Sequence, residues 1–237
     1  MQQEISLLRK QIQQLRILVG LMCLGFVSLI IYSFRLPADK FEIIRAKGII
    51  IEDRQGRDRI LLGAPIPAST DRVRTDSNLV RKHWAKNFGD QNQYMKWYSE
   101  YYNSSIGMVV MNEDGFDRVL VGDRLADPNT GKRMFDAAGI LWNDKEGWEK
   151  GGAGVNTSKD GTTSHSVMGV DDSDGEAVHI IALEDGTKGL VIGGENGRLM
   201  IGMSKKDGQW FKNKEAFTGI KYFSNEGKLI WEQKMNP

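Results

Sequence analysis

GIIIEDRQGRDRILLG, residues 48–63, has a near-copy at residues 107–122, GMVVMNEDGFDRVLVG. Gly48 and Gly107 open the two stretches. Asp53 and Asn112 follow five positions on, Gly56 and Gly115 eight on, Arg59 and Arg118 eleven on, and Gly63 and Gly122 fifteen on. A third copy, GILWNDKEGWEKGGAG (residues 139–154), fills the later positions with Asp144, Gly147, Lys150 and Gly154. Weaker copies are VMGVDDSDGEAVHIIA (167–182), GLVIGGENGRLMIG (189–202) and GIKYFSNEGKLIW (219–231). The starts lie 59, 32, 28, 22 and 30 residues apart, a period near 30 with one double interval. Recurrence of several features at one period is the mark of a repeat architecture.

Each unit reads as a β-hairpin. The first arm (III, VVM, ILW, LVI, IKYF) is β-branched or aromatic and suits a strand. The centre is an acidic or amide cluster ending in Gly. Asp or Asn folds its side chain onto nearby backbone N–H groups. The Gly supplies the positive φ of a type I turn with a G1 bulge, and the second arm (RILLG, RVLVG, RLMIG, KLIW) returns the chain. Apolar residues run consecutively along several arms, which predicts strands covered on both faces. An isolated hairpin is marginal in water, so the units must stack on one another or on another subunit. Composition agrees: 27 glycines stand against roughly 17 expected at about 7% usage, with only 5 prolines.

Residues 17–34, ILVGLMCLGFVSLIIYSF, carry no charge over 18 positions, close to the length that crosses ~30 Å of hydrocarbon. Arg16 and Arg35 bracket the segment, and no small-x-small cleavage site follows in SFRLPADK, so it reads as an uncleaved transmembrane helix. Basic residues flank both sides, and the positive-inside rule barely discriminates. A short tail ahead of the span with the bulk behind it favours a signal anchor: N-terminus cytoplasmic, bulk domain extracytoplasmic (periplasmic in a bacterium). Ahead of the span, Ile5, Leu8, Ile12 and Leu15 follow the 3,4 spacing of a coiled-coil seam, continued by Val19, Met22, Phe26 and Leu29. The readings are a surface amphipathic helix, self-association of the anchor helices with a lean towards a parallel dimer and a trimer as the alternative, or pairing with a partner's helix.

Residues 64–105 break the rhythm. A basic run, DRVRTDSNLVRKHWAK, precedes DQNQYMKWYSEYYN. Asp90 is a plausible N-cap, and Tyr94, Trp97, Tyr98 and Tyr101 share one face of a helix over 90–102. This densest aromatic patch packs on the β core or a neighbouring subunit, presents Tyr and Trp anchors to a partner protein, or binds sugar or dips into the membrane interface beside the basic run.

Little here points to catalysis. His83, His165 and His179 lack metal-ligand spacing, no nucleophile elbow is present, and VDDSDGE (170–176) fails the EF-hand pattern. Cys23 is the single cysteine, which leaves no intrachain disulfide and no Cys-based zinc site. A formal charge of +1 gives no reason to expect nucleic acid. Arg59, Arg118 and Lys150 form a repeated basic position, read as a ladder pairing with the turn acids.

The expected protein is mainly β: a short helix (1–16), a transmembrane helix (17–34), a linker and first hairpin (35–63), an insertion with an aromatic helix (64–105) and β-hairpin repeats (106–237). The repeats are solenoid-like or an intertwined oligomeric β domain. The expected role is that of a non-catalytic structural or accessory subunit, in a homo-oligomer or a larger membrane complex, with no cofactor or metal. An envelope glycan- or protein-binding module is the alternative. A carbohydrate-active enzyme, using a carboxylate outside the turns such as Glu100 or Glu215, is the third reading.

Overall fold

A computed structural model describes residues 2–35, 43–101, 105–173, 175–208, 211 and 213–235. The side chains of Ile5, Glu100 and Tyr101 lie outside the described residues. The chain divides into two compact units, Met1–Arg45 and Ala46–Pro237.

The first unit holds one continuous helix, α1 (Gln2–Arg35). Within it Ser6–Tyr32, 27 residues with mean hydropathy 2.3, is long and apolar enough to span a membrane. The expected amphipathic segment and span are thus a single helix. Leu8, Ile12 and Leu15 are exposed along it.

The second unit contains twelve strands in one open antiparallel sheet, arranged in chain order. They form six hairpins: β1 (Gly48–Glu52) with β2 (Asp58–Gly63), β3 (Ile106–Met111) with β4 (Asp117–Leu125), and β5 (Asp136–Asn143) with β6 (Glu149–Thr157). The remaining three are β7 (Ser164–Asp171) with β8 (Glu176–Leu183), β9 (Lys188–Gly194) with β10 (Gly197–Ser204), and β11 (Phe217–Phe223) with β12 (Leu229–Lys234). Each hairpin is one copy of the sequence repeat.

The turns follow from the repeated residues. Asp53 Oδ1 accepts from the Gln55 and Arg57 amides at 2.9 and 3.1 Å. Asn112 and Asp144 accept from their own +2 and +4 amides in the same way. Gly56 and Gly115 sit at φ +76° and +81°, the left-handed region that a G1 bulge needs. The register shifts at the end of every hairpin except β9–β10. There the GENG stretch departs from the expected bulged turn. Gly194 pairs Gly197 directly, leaving a two-residue link.

The basic ladder staples neighbouring hairpins. Arg59 donates to the Asn112 and Glu113 carbonyls, Arg118 to the Asn143 carbonyl, and Lys150 to the Asp172 carbonyl. Among the described residues, Arg59 also meets a turn acid, Asp53, at 2.8 Å. The expected pairing with turn acids is therefore mostly a pairing with turn carbonyls of the next hairpin. A cation satisfies peptide groups there that the bulge leaves without a strand partner.

Paired residues in an antiparallel sheet share a face, so the register sorts the side chains. One face carries a line of glycines: Gly48, Gly63, Gly107, Gly122, Gly139 and Gly154, then Gly189, Gly202 and Gly219 after Val167 and Ile181. The repeat's first and last positions thus meet across strand after strand. A Cβ on Gly107 would overlap the Val121 carbonyl, and one on Gly122 the Ile106 carbonyl. No larger residue fits that close approach.

Beside the glycines on this face lie Leu61, Val109, Leu120, Val191 and Met200, all buried. Two connections cover them. The insertion after β2 folds α2 (Ser77–His83) and α3 (Gln91–Tyr101), capped by Asp76 and Asp90. The connection after β10 brings Phe211 onto Val191 and Met200. Lys221 Nζ holds that second cover by donating to the Phe211 carbonyl at 2.9 Å.

Candidate functional site

The opposite face of the sheet carries two apolar rows. One row across all twelve strands reads Ile49, Leu62, Met108, Val121, Ile140, Ala153, Met168, Ile180, Leu190, Ile201, Ile220 and Gln233. The next row on the same face reads Ile51, Ile60, Val110, Val119, Trp142, Gly151, Val170, Val178, Ile192, Leu199, Tyr222 and Trp231. Neither row holds a charge. Only Gln233 and Gly151 depart from apolar side chains, and the Trp142 ring lies where a Gly151 side chain would stand.

Within the single chain this surface is uncovered: Ile49 is 40% exposed, Ile180 53% and Trp231 48%. The expectation of strands covered on both faces therefore fails for the chain alone. The consecutive apolar residues of β2, β3, β4, β9 and β10 send alternate side chains to a covered face and an open one, whereas Ile49, Ile50 and Ile51 of β1 are all exposed. Soluble monomers rarely expose a continuous apolar patch of this extent.

On the glycine face, the two covers leave a gap over the middle strands. It forms a trough of about 360 Å³ with a floor of Gly139, Gly152, Gly154 and Gly169. The missing side chains create this space. Glu149, Asp127, Asp171 and Glu176 stand at one end of it, with His179. Burial, then the nearby Asp127, Asp171 and Glu176 charges, push the Glu149 carboxyl up to about 8. Burial and the neighbouring Glu176 also raise Asp171. His179 Nε2 lies 3.2 Å from Glu176 Oε1. Glu149 is therefore protonated at neutral pH and can donate as well as accept a hydrogen bond. Among the described residues, no group of three or more His, Cys, Asp or Glu is arranged to hold a metal ion. Sequence reasoning missed the trough because its acids come from two separate hairpins and one connection. The clustered glycines of GGAG (151–154) were its only local signal.

The aromatic helix turns inward. Tyr94 and Tyr98 are buried with Val80, Trp84 and Phe116 in the insertion's core. Trp97 is half-buried, with Lys132 Nζ 5.3 Å from its ring centroid. Lys132 also lines the trough, whereas Trp97 does not. Two arginines of the basic run are buried as well. Arg72 grips Asp117 through Nε and Nη2 at 2.8 and 2.7 Å. Arg74 lies 4.0 Å over the Trp84 ring and donates to the Gly147 and Pro128 carbonyls.

The histidines are spread among different neighbours. His83 stands edge-on to Phe116, His165 edge-on to Phe135, and His179 beside Glu176. Asn103, one of two glycosylation-type asparagines in the sequence, lies outside the described residues; Asn156 lies on β6. No known protein family, curated protein or solved structure matches this chain.

Proposed function

We propose that this protein is a membrane-anchored, non-catalytic structural or accessory subunit, whose sheet is an assembly surface. The observation that carries this reading is the open face, with two rows of apolar side chains running uninterrupted by charge across twelve strands. A face of this kind is stable in water only when something covers it. The helix Ser6–Tyr32 supplies the anchor, with the N-terminus in the cytoplasm and the sheet outside. Its Leu8, Ile12 and Leu15 stripe, with Ile5, offers a second contact between copies or with a partner's helix. The six hairpins then work as a repeat array whose outer layer is contributed by another chain.

The test is the native mass and protein composition of the gently solubilised complex. Several copies of this chain, or fixed foreign subunits at constant stoichiometry, are the expected results. A lone chain in mild detergent would overturn the proposal.

A second reading draws on Trp97, whose ring stays partly open beside Lys132. It is a binding module for an envelope glycan, with the indole as stacking platform. Trp97→Ala would then abolish glycan retention and leave the native mass unchanged.

A further inference from the structure

We infer that the open face is covered by the same face of a second copy of this chain, the two sheets packing face to face. This rests on the assembly role proposed above and names its occupant. A foreign partner is normally selected by charge or hydrogen-bonding complementarity. The two rows offer no charge and, beyond Gln233 and the Tyr and Trp side chains towards their ends and centre, no hydrogen-bonding groups, whereas an uncharged apolar face is complementary to itself, as a twofold contact requires.

The size also fits. Twelve strands at ~4.8 Å spacing and two side-chain rows give a band about 50 Å by about 12 Å, roughly 600 Å². That approaches the ~800 Å² per partner of a standard stable interface. The neighbouring row on the same face is mixed: Asp123, Ser166, Lys188 and Thr218 alternate with Ile106, Ala138, Val155, Ala182 and Met203, so charge and polarity first enter at the edge of the band, as at an interface rim. Two copies stacked this way complete a sandwich with its layers ~10 Å apart. Anchoring both chains in one membrane raises their effective concentration.

A twofold contact that covers all twelve strands places its axis near the middle of the sheet. There β6 and β7 meet, and Ala153 pairs with Met168. Met168 of one copy then faces the same region of the other.

The test uses the full-length chain in mild detergent, with Cys23→Ser as background. Met168→Cys treated with a short bis-maleimide should give a covalent pair of chains, and Lys159→Cys, on an exposed turn, should not. Independently, Ile180→Glu with Ile192→Glu should halve the native mass while the β circular-dichroism signal persists.

Cross-linking of Met168→Cys only to a foreign subunit would overturn this inference and leave the accessory-subunit reading standing. A wild-type native mass of three chains would overturn the face-to-face pair. A wild-type native mass of one chain, without foreign subunits, would overturn both readings.

Discussion

Arg72 meets both carboxylate oxygens of Asp117 through two of its own nitrogens, and the two side chains are almost wholly removed from water. Asp117 follows the turn of the second hairpin; Arg72 belongs to the insertion. This bidentate pair therefore ties the insertion to the sheet, and Arg74 stands 3.8 Å from the same carboxylate. Removing one partner of a buried pair leaves an uncompensated charge, which costs about 3–5 kcal/mol. Asp117→Ala should lower the denaturation midpoint accordingly. A loss below ~1 kcal/mol in chemical denaturation would show that water reaches the arginines.

The glycine line separates two kinds of glycine. Gly56 sits at φ +76° in an open turn, with nothing near a would-be Cβ. Gly107 sits at φ +148° with the Val121 carbonyl in the way. Gly56→Ala should cost only backbone strain, about 1 kcal/mol. Gly107→Ala must also force two strands apart and should cost at least about 2–3 kcal/mol. Thermal unfolding of the two variants side by side checks the ranking; equal losses would contradict the close approach.

Arg59 makes the most contacts of the ladder residues, reaching Asp53, the Asp58 carbonyl and the Asn112 and Glu113 carbonyls. The guanidinium bridges two turns that no strand pairing joins. Arg59→Ala should destabilise by about 1–3 kcal/mol. Arg59→Lys should recover only part of this, since an ammonium cannot reproduce a planar fork. Complete recovery by Lys in denaturant titrations would mean that charge alone matters.

The hairpins were legible because their signals are local. Asp53 and Gly56, or Asn112 and Gly115, fix each turn within five residues, and the recurrence of the motif revealed all six units. Asp90 capping α3 was readable for the same reason. Other features depend on register, which a repeat count does not supply. The line from Gly48 to Gly219 and the two apolar rows emerge only when strand is laid against strand. The burial of Arg72 and Arg74 was hidden because alternating charge on a polar-looking run resembles a solvated surface. Asp117, their partner, lies more than forty residues away. The inward turn of Tyr94 and Tyr98 onto Trp84 and Phe116 depends on neighbours that the fold supplies and the helical spacing does not state.

Glu149 gives the trough a pH signature. Its carboxyl titrates near 4.5 in the unfolded chain and at about 8 in the folded one. Between those values the folded protein holds a proton that the unfolded chain has released, so stability falls as pH rises through this window. The raised Asp171 contributes in the same direction. His83 acts oppositely, because burial, then the Lys82 and Lys86 charges, lower its pKa and its protonation on acidification opposes folding. Glu149→Gln keeps the shape and a hydrogen-bond donor but cannot ionise. Melting temperatures at about pH 5.5 and about pH 8.5 should therefore differ less in Glu149→Gln than in the wild type, with the variant the more stable of the two at the higher pH. An unchanged pH slope in the variant would place the Glu149 carboxylate in contact with water rather than against the acids of the trough.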